Sequence, residues 1–149
     1  MAIRTDAEIT IDRPRAEVFD YLAHAERLPE YIDDFERVTH EQDGEPAQGH
    51  VYSYKMKRGG EGTFEWTEFR SPDRLAWSGP AAKLGPGSMQ PSGWWELADE
   101  GDRTHVKLVM TPEPGGLFKL LAPLMRRGMV RGNERGLAKL KARLERGPG

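Results

Sequence analysis

The sequence predicts an α+β domain: a curved antiparallel sheet of seven strands wrapped around one long carboxyl-terminal helix, with two short helices after the first strand. Two patterns carry this expectation. Short stretches between residues 3 and 110 alternate apolar with polar side chains, the period of a strand with one buried face. Over residues 123–146 the apolar side chains fall instead at Met125, Met129, Leu137, Leu140 and Leu144, the spacing of one helical face. Strands run together and a helix set apart from them make an α+β pattern.

Residues 3–11 set Ile3, Ala7, Ile9 and Ile11 against Arg4, Asp6, Glu8 and Thr10. Asp12-Arg13-Pro14 ends that strand, and Pro14 suits a first helical turn, where no N–H is needed. Val18, Phe19 and Leu22 stripe one short helix; Leu28, Tyr31, Ile32 and Phe35 stripe a second, with Pro29 near its start. Residues 37–41 form a weak strand and 43–46 a turn. In residues 50–57, His50, Tyr52, Tyr54 and Met56 share a face. Arg58-Gly59-Gly60-Glu61-Gly62 is a hairpin turn, because glycine takes positive φ freely. The strand at 63–70 aligns Phe64, Trp66 and Glu68 on one face and Phe69 on the other; the next, 74–78, holds Leu75 and Trp77. Residues 79–91, with three Pro, three Gly and no periodicity, read as a long loop that can seal a cavity. Trp94 and Trp95 sit on opposite faces of a strand at 92–97, and Thr104, Val106, Leu108 and Met110 give the cleanest alternation. Residues 112–116 break the sheet, and 117–122 form a short helical segment before the long helix. The domain spans residues 1–146, with 147–149 as a frayed tail.

The long helix carries Gly128, Gly132 and Gly136 in an i, i+4 row, with Asn133 on the inward arc. Each glycine costs about 1 kcal/mol of helix propensity relative to alanine. The row either lets another backbone approach or leaves a volume for a ligand, unless bulky side chains from the sheet fill it. Asn133 needs a partner there, be it sheet, water or ligand.

The net charge of −2 argues for no nucleic-acid partner, but nine Lys or Arg against two Glu crowd residues 119–146. A basic amphipathic helix is a solvated face or a contact for a membrane or ribosome. The absence of cysteine excludes disulfides and thiolate chemistry, and with no apolar leader the setting is expected to be cytoplasmic. The histidines show no metal-ligand spacing, so neither a metal nor another cofactor is expected.

The opening, Ile11-Asp12-Arg13-Pro14-Arg15-Ala16-Glu17-Val18-Phe19-Asp20-Tyr21-Leu22 followed by Leu28-Pro29-Glu30-Tyr31, resembles the strand-to-helix entry of the SRPBCC superfamily. Ser71-Pro72-Asp73-Arg74-Leu75 is similar to its hairpin between the fourth and fifth strands, and residues 137–145 to its helix ending. The resemblance implies the helix-grip fold shared by START lipid-transfer and polyketide cyclase/dehydrase-like proteins.

Three functions follow as expectations. The first is binding or transport of a hydrophobic small molecule, lipid-like or polycyclic, against Tyr52, Tyr54, Phe64, Trp66, Glu68, Trp77, Trp95, Met125, Met129 and Asn133. The second, permitted by the resemblance, is a metal-free cyclase or dehydratase with Glu68, His50 and Tyr54 handling protons. The third is an adaptor associated with coenzyme Q, a ribosome or a membrane through the basic helix. The protein acts as a monomer or homodimer, without DNA.

Overall fold

A computed structural model describes residues 2–146; the expected frayed tail lies outside the described residues. The first strand, β1 (Thr5–Ile11), leads through Pro14 into α1 (Arg15–Ala23). The expected second short helix is a 3₁₀ helix, Ala25–Glu30. Pro29 has no N–H for the i→i−4 ladder and disfavours α geometry at Leu28, so the chain tightens instead. Tyr31 and Ile32 lie beyond that helix, and Phe35 opens β2 (Phe35–His40).

A meander follows: β3 (Val51–Met56), β4 (Glu61–Arg70) and β5 (Arg74–Ser78). Then come β6 (Ala82–Leu84), β7 (Gly87–Gln90), β8 (Ser92–Glu100), β9 (Arg103–Met110) and β10 (Glu113–Gly116). Seven strands form one antiparallel sheet in the order β1-β9-β8-β5-β4-β3-β2. It curls as a half-barrel around the carboxyl-terminal helix α2 (Phe118–Glu145), the helix-grip arrangement.

Two expectations need correction. Residues 79–91 are not a structureless loop: β6 and β7 make a hairpin turning at Gly85 (φ +64°), and β10 pairs with β7 to complete a three-stranded sheet. Pro114 is tolerated because β10 is an edge strand, where a missing N–H costs no ladder bond. Short strands built from Gly and Pro have no side-chain alternation to read. Likewise, residues 117–122 are no separate segment. Nearly all of that stretch belongs to α2, which runs unbroken through Pro123. A proline in the second turn deprives only the Lys119 carbonyl of its donor, and Lys119 is exposed to water.

The core joins α1, the inner face of the sheet and the carboxyl-terminal half of α2. Leu137, Leu140 and Leu144 pack with Ile11, Val18, Phe19, Leu22, Leu75 and Val106 in one buried cluster. The helix end is pinned to the end of β1: Arg13 donates to the Leu144 and Glu145 carbonyls at 2.7 and 3.0 Å, and the Asp12 N–H donates to Glu145 at 2.7 Å. Within α2 the glycines diverge. A Cβ on Gly136 would meet Ile32 Cδ1 at 2.5 Å and the Tyr31 carbonyl at 3.1 Å, whereas Gly128 and Gly132 have nothing within 4 Å. Gly136 thus lets the helix touch the segment after the 3₁₀ helix, and half-buried Gly132 borders open space.

Candidate functional site

The inner face divides into a closed end and an open end. At the closed end Ile11, Tyr52, Leu75 and Val106 are inaccessible to solvent, and Phe64, Trp66 and Trp95 are nearly so. Toward the other end the inward-facing residues Phe35, Tyr54, Trp77 and Met110 are half-buried. Trp77 takes its place because its cross-strand partner is Gly93, where a Cβ would strike the indole at 2.6 Å. Phe35 meets Tyr54 edge-on, with centroids 5.8 Å apart. Met125 and Met129 of α2 are half-buried as well.

The β6–β7 hairpin crosses this open end. A Cβ on Gly60 would hit Leu84, and one on Gly62 would hit the Tyr54 ring and Ala82. On its far side Gly87 receives the ring of Phe118, the first residue of α2. The hairpin therefore straps the β3–β4 turn to the start of α2, and glycines at the contact points let it lie flat.

The buried polar atoms of the inner face serve the fold. The Tyr52 hydroxyl and Trp66 Nε1 both donate to the Ala23 carbonyl, at 3.2 and 3.3 Å, which satisfies an orphan acceptor at the end of α1. Asn133 finds its partner in the sheet, donating from Nδ2 to Thr5 Oγ1 at 3.1 Å. Burial pushes the Tyr52 phenol up to about 12 and raises those of Tyr31 and Tyr54. Among the described residues the buried polar side chains are Thr5, Thr104 and Asn133, all neutral.

Glu68 does not join this surface. A β-bulge between Trp66 and Glu68 inserts one residue into β4 and reverses the alternation beyond it. Phe69 consequently turns inward onto Phe19, with centroids 5.2 Å apart, and Glu68 turns out toward Arg74 at 2.7 Å. Arg74 also binds Glu96 at 2.9 Å and stacks over Trp94, the outward tryptophan. His50 stands just before β3, its Nδ1 2.9 Å from Nε2 of His40, whose ring stacks on Tyr52. The sequence-derived set is thus divided. Tyr52, Phe64, Trp66, Trp95 and Asn133 are interior, Tyr54, Trp77, Met125 and Met129 are at the open end, and His50 and Glu68 lie apart. Phe35 and Met110 were missed. The even alternation through Thr104, Val106 and Leu108 pointed to Met110, but nothing local pointed to Phe35.

Two depressions of about 300 and 400 Å³ open on the outer face of the sheet, among Arg70, Arg74, Glu96 and Lys107 and among Arg37, Ser53, Lys55 and Glu61. Ion pairs occupy many of their charges. One trio among the described residues has the geometry to hold a cation: Asp20, His24 and Glu45, whose ligand atoms lie within 4.8 Å of one another. The Glu45 side chain is 87% exposed, and His24 Nδ1 lacks the acceptor that a metal-bound imidazole usually finds.

A curled sheet gripping a terminal helix, with an apolar inner face, defines a START-like protein of the polyketide cyclase type. The family model described as polyketide cyclase/dehydrase and lipid transport matches residues 2–145, and the chain belongs to that family. No curated protein matches it. Among solved structures, TTHA0849 from Thermus thermophilus superposes with a TM-score of 0.78 at 20% identity, over 98% of this chain and 99% of that one. A START superfamily protein from Mycobacterium smegmatis gives 0.73 at 11% identity, over 96% and 97%. Zhui aromatase/cyclase from Streptomyces sp. R1128 gives 0.72 at 19% identity, over 98% and 95%. These likenesses establish the fold. No helix among the described residues is long and apolar enough to cross a membrane.

Proposed function

We propose that the protein binds, and by binding carries, an apolar small molecule of lipid-like or polycyclic shape between the sheet and α2. The observation that supports this most is the open end. Phe35, Tyr54, Trp77 and Met110 face inward by register yet remain half-buried, while Met125 and Met129 are half-buried on α2, where Gly132 has nothing within 4 Å. An apolar wall that water reaches gains from covering by an apolar guest, at roughly 25 cal/mol per Å². The hairpin that straps this end would close over the guest.

The second reading is a cyclase or dehydratase, favoured by the family description and by the likeness to an aromatase/cyclase. With Glu68 and His50 both apart from the open end, its proton handling would fall to Tyr54. Neutral buried polar groups suit a carrier better than an acid–base catalyst, which needs a group poised near the working pH. Native mass spectrometry of purified protein tests the proposal. A co-purified apolar adduct that Trp77→Arg removes is the expected result. Failure of the protein to take up any polycyclic or lipid probe overturns it. A pH–rate profile on a polyketide substrate that collapses in Tyr54→Phe would establish the second reading instead.

A further inference from the structure

The first two turns of α2 carry an apolar face that stands partly to largely open to solvent. Leu117 precedes the helix, and Leu120, Leu121 and Leu124 follow at i+3, i+4 and i+7, the spacing of one stripe. Their exposures are 44, 79, 39 and 67%. The stripe lies opposite the buried arc of Asn133, Leu137, Leu140 and Leu144, so it plays no part in gripping the sheet. Up the same face it gives way to Gly128, then Arg131 and Arg135, with Arg127 at its margin. Arg127 and Arg131 are exposed and enter none of the molecule's ion pairs among the described residues, and no acidic residue occurs between Glu113 and Glu134. The chain as a whole carries −2, which makes this a local concentration of positive charge on an otherwise acidic protein.

We infer that this face docks on an anionic lipid surface, the leucines entering the headgroup boundary and Arg127 and Arg131 meeting the acidic headgroups. Helices of this kind lie in the membrane interface, held jointly by apolar burial and charge. A parallel two-fold pairing through this stripe would set Arg127 and Arg131 of one protomer beside those of the other, whereas an anionic surface meets both cations and leucines at once. The inference stands whether or not the interior holds a guest.

Vesicle co-sedimentation tests it, with phosphatidylcholine alone and with phosphatidylcholine and phosphatidylglycerol in equal parts. The wild-type protein is expected to bind the mixed vesicles and not the neutral ones, and to be released by moderate salt. Leu120→Ser with Leu124→Ser, both far out in solvent, should weaken binding at least tenfold while leaving the melting temperature unchanged. Arg127→Glu with Arg131→Glu should weaken it by a similar factor, since each cation near such a surface contributes about 1 kcal/mol. Absence of binding to the mixed vesicles overturns the inference, as does binding that survives both double substitutions. Concentration-dependent dimerisation that the leucine substitutions abolish, without vesicle binding, would reassign the face to a second copy.

Discussion

Gly132 and Gly136 lie one turn apart on α2, and a side chain should affect them in opposite directions. At Gly136 the new Cβ meets Ile32 Cδ1 at 2.5 Å and the Tyr31 carbonyl oxygen at 3.1 Å. The isoleucine methyl can swing away, but the backbone carbonyl cannot. Overpacking a core costs about 1–3 kcal/mol. Exchanging a helical glycine for alanine returns about 1 kcal/mol. Gly136→Ala is therefore expected to lower stability by up to about 2 kcal/mol. At Gly132 nothing lies within 4 Å, so Gly132→Ala gains the propensity without the clash. It should raise stability by about 1 kcal/mol, or roughly 2–4 °C in Tm for a domain of this size.

Gly132→Leu goes further by placing four carbons in the open space. It should keep wild-type stability and weaken binding of a hydrophobic dye by about tenfold, since about 1.4 kcal/mol of lost contact is a factor of ten. Urea unfolding followed by tryptophan fluorescence measures the first quantity, and titration with anilinonaphthalene sulfonate the second. Both are best made with Leu120 and Leu124 already replaced by serine, so that dye on the outer stripe does not confuse the result. If Gly132→Leu destabilises as Gly136→Ala does, the space is filled and the proposed cleft does not exist. If dye affinity stays unchanged, the cleft exists elsewhere.

The remaining predictions concern single contacts. Asn133→Ala leaves the Thr5 hydroxyl buried without its partner and should cost about 1–3 kcal/mol in chemical denaturation, much of it recovered when Thr5→Val is added. Glu68→Gln breaks only partly exposed ion pairs on the outer face, so it should change stability by less than about 1 kcal/mol and leave ligand binding intact. A loss of ligand binding in that variant would place Glu68 on the inner face instead. The folded-state pKa of Tyr52, about 12, lies above the ordinary 10.0. Its neutral form thus favours the fold fully below pH 10, and that contribution is lost as pH rises from 10 toward 12. Tyr52→Phe should flatten the alkaline limb of a Tm-against-pH curve. Phe118→Ala removes the ring seated on Gly87 and should loosen the strap, seen as faster dye release with little change in equilibrium unfolding.

Much of the fold could be read from local pattern alone. A strand with one buried face must alternate, and a helix with one buried face must repeat near every fourth residue. The seven strands of the main sheet and the gripping helix follow from those two periods. Composition also set the charge of α2 and the absence of thiol chemistry. What no local pattern contained was pairing and parity. One inserted residue in β4 carried Glu68 from the inner to the outer face, a reversal invisible in a sequence where Phe64, Trp66 and Glu68 keep perfect phase. The strands β6, β7 and β10 exist because their backbones bond to one another across a distance, and glycine and proline leave no side-chain trace of that. The three glycines of α2 look alike in sequence and differ in what stands opposite each: nothing within 4 Å at exposed Gly128 and half-buried Gly132, a packed chain at Gly136. Periodicity records which side of an element is buried; only the tertiary structure records what it is buried against.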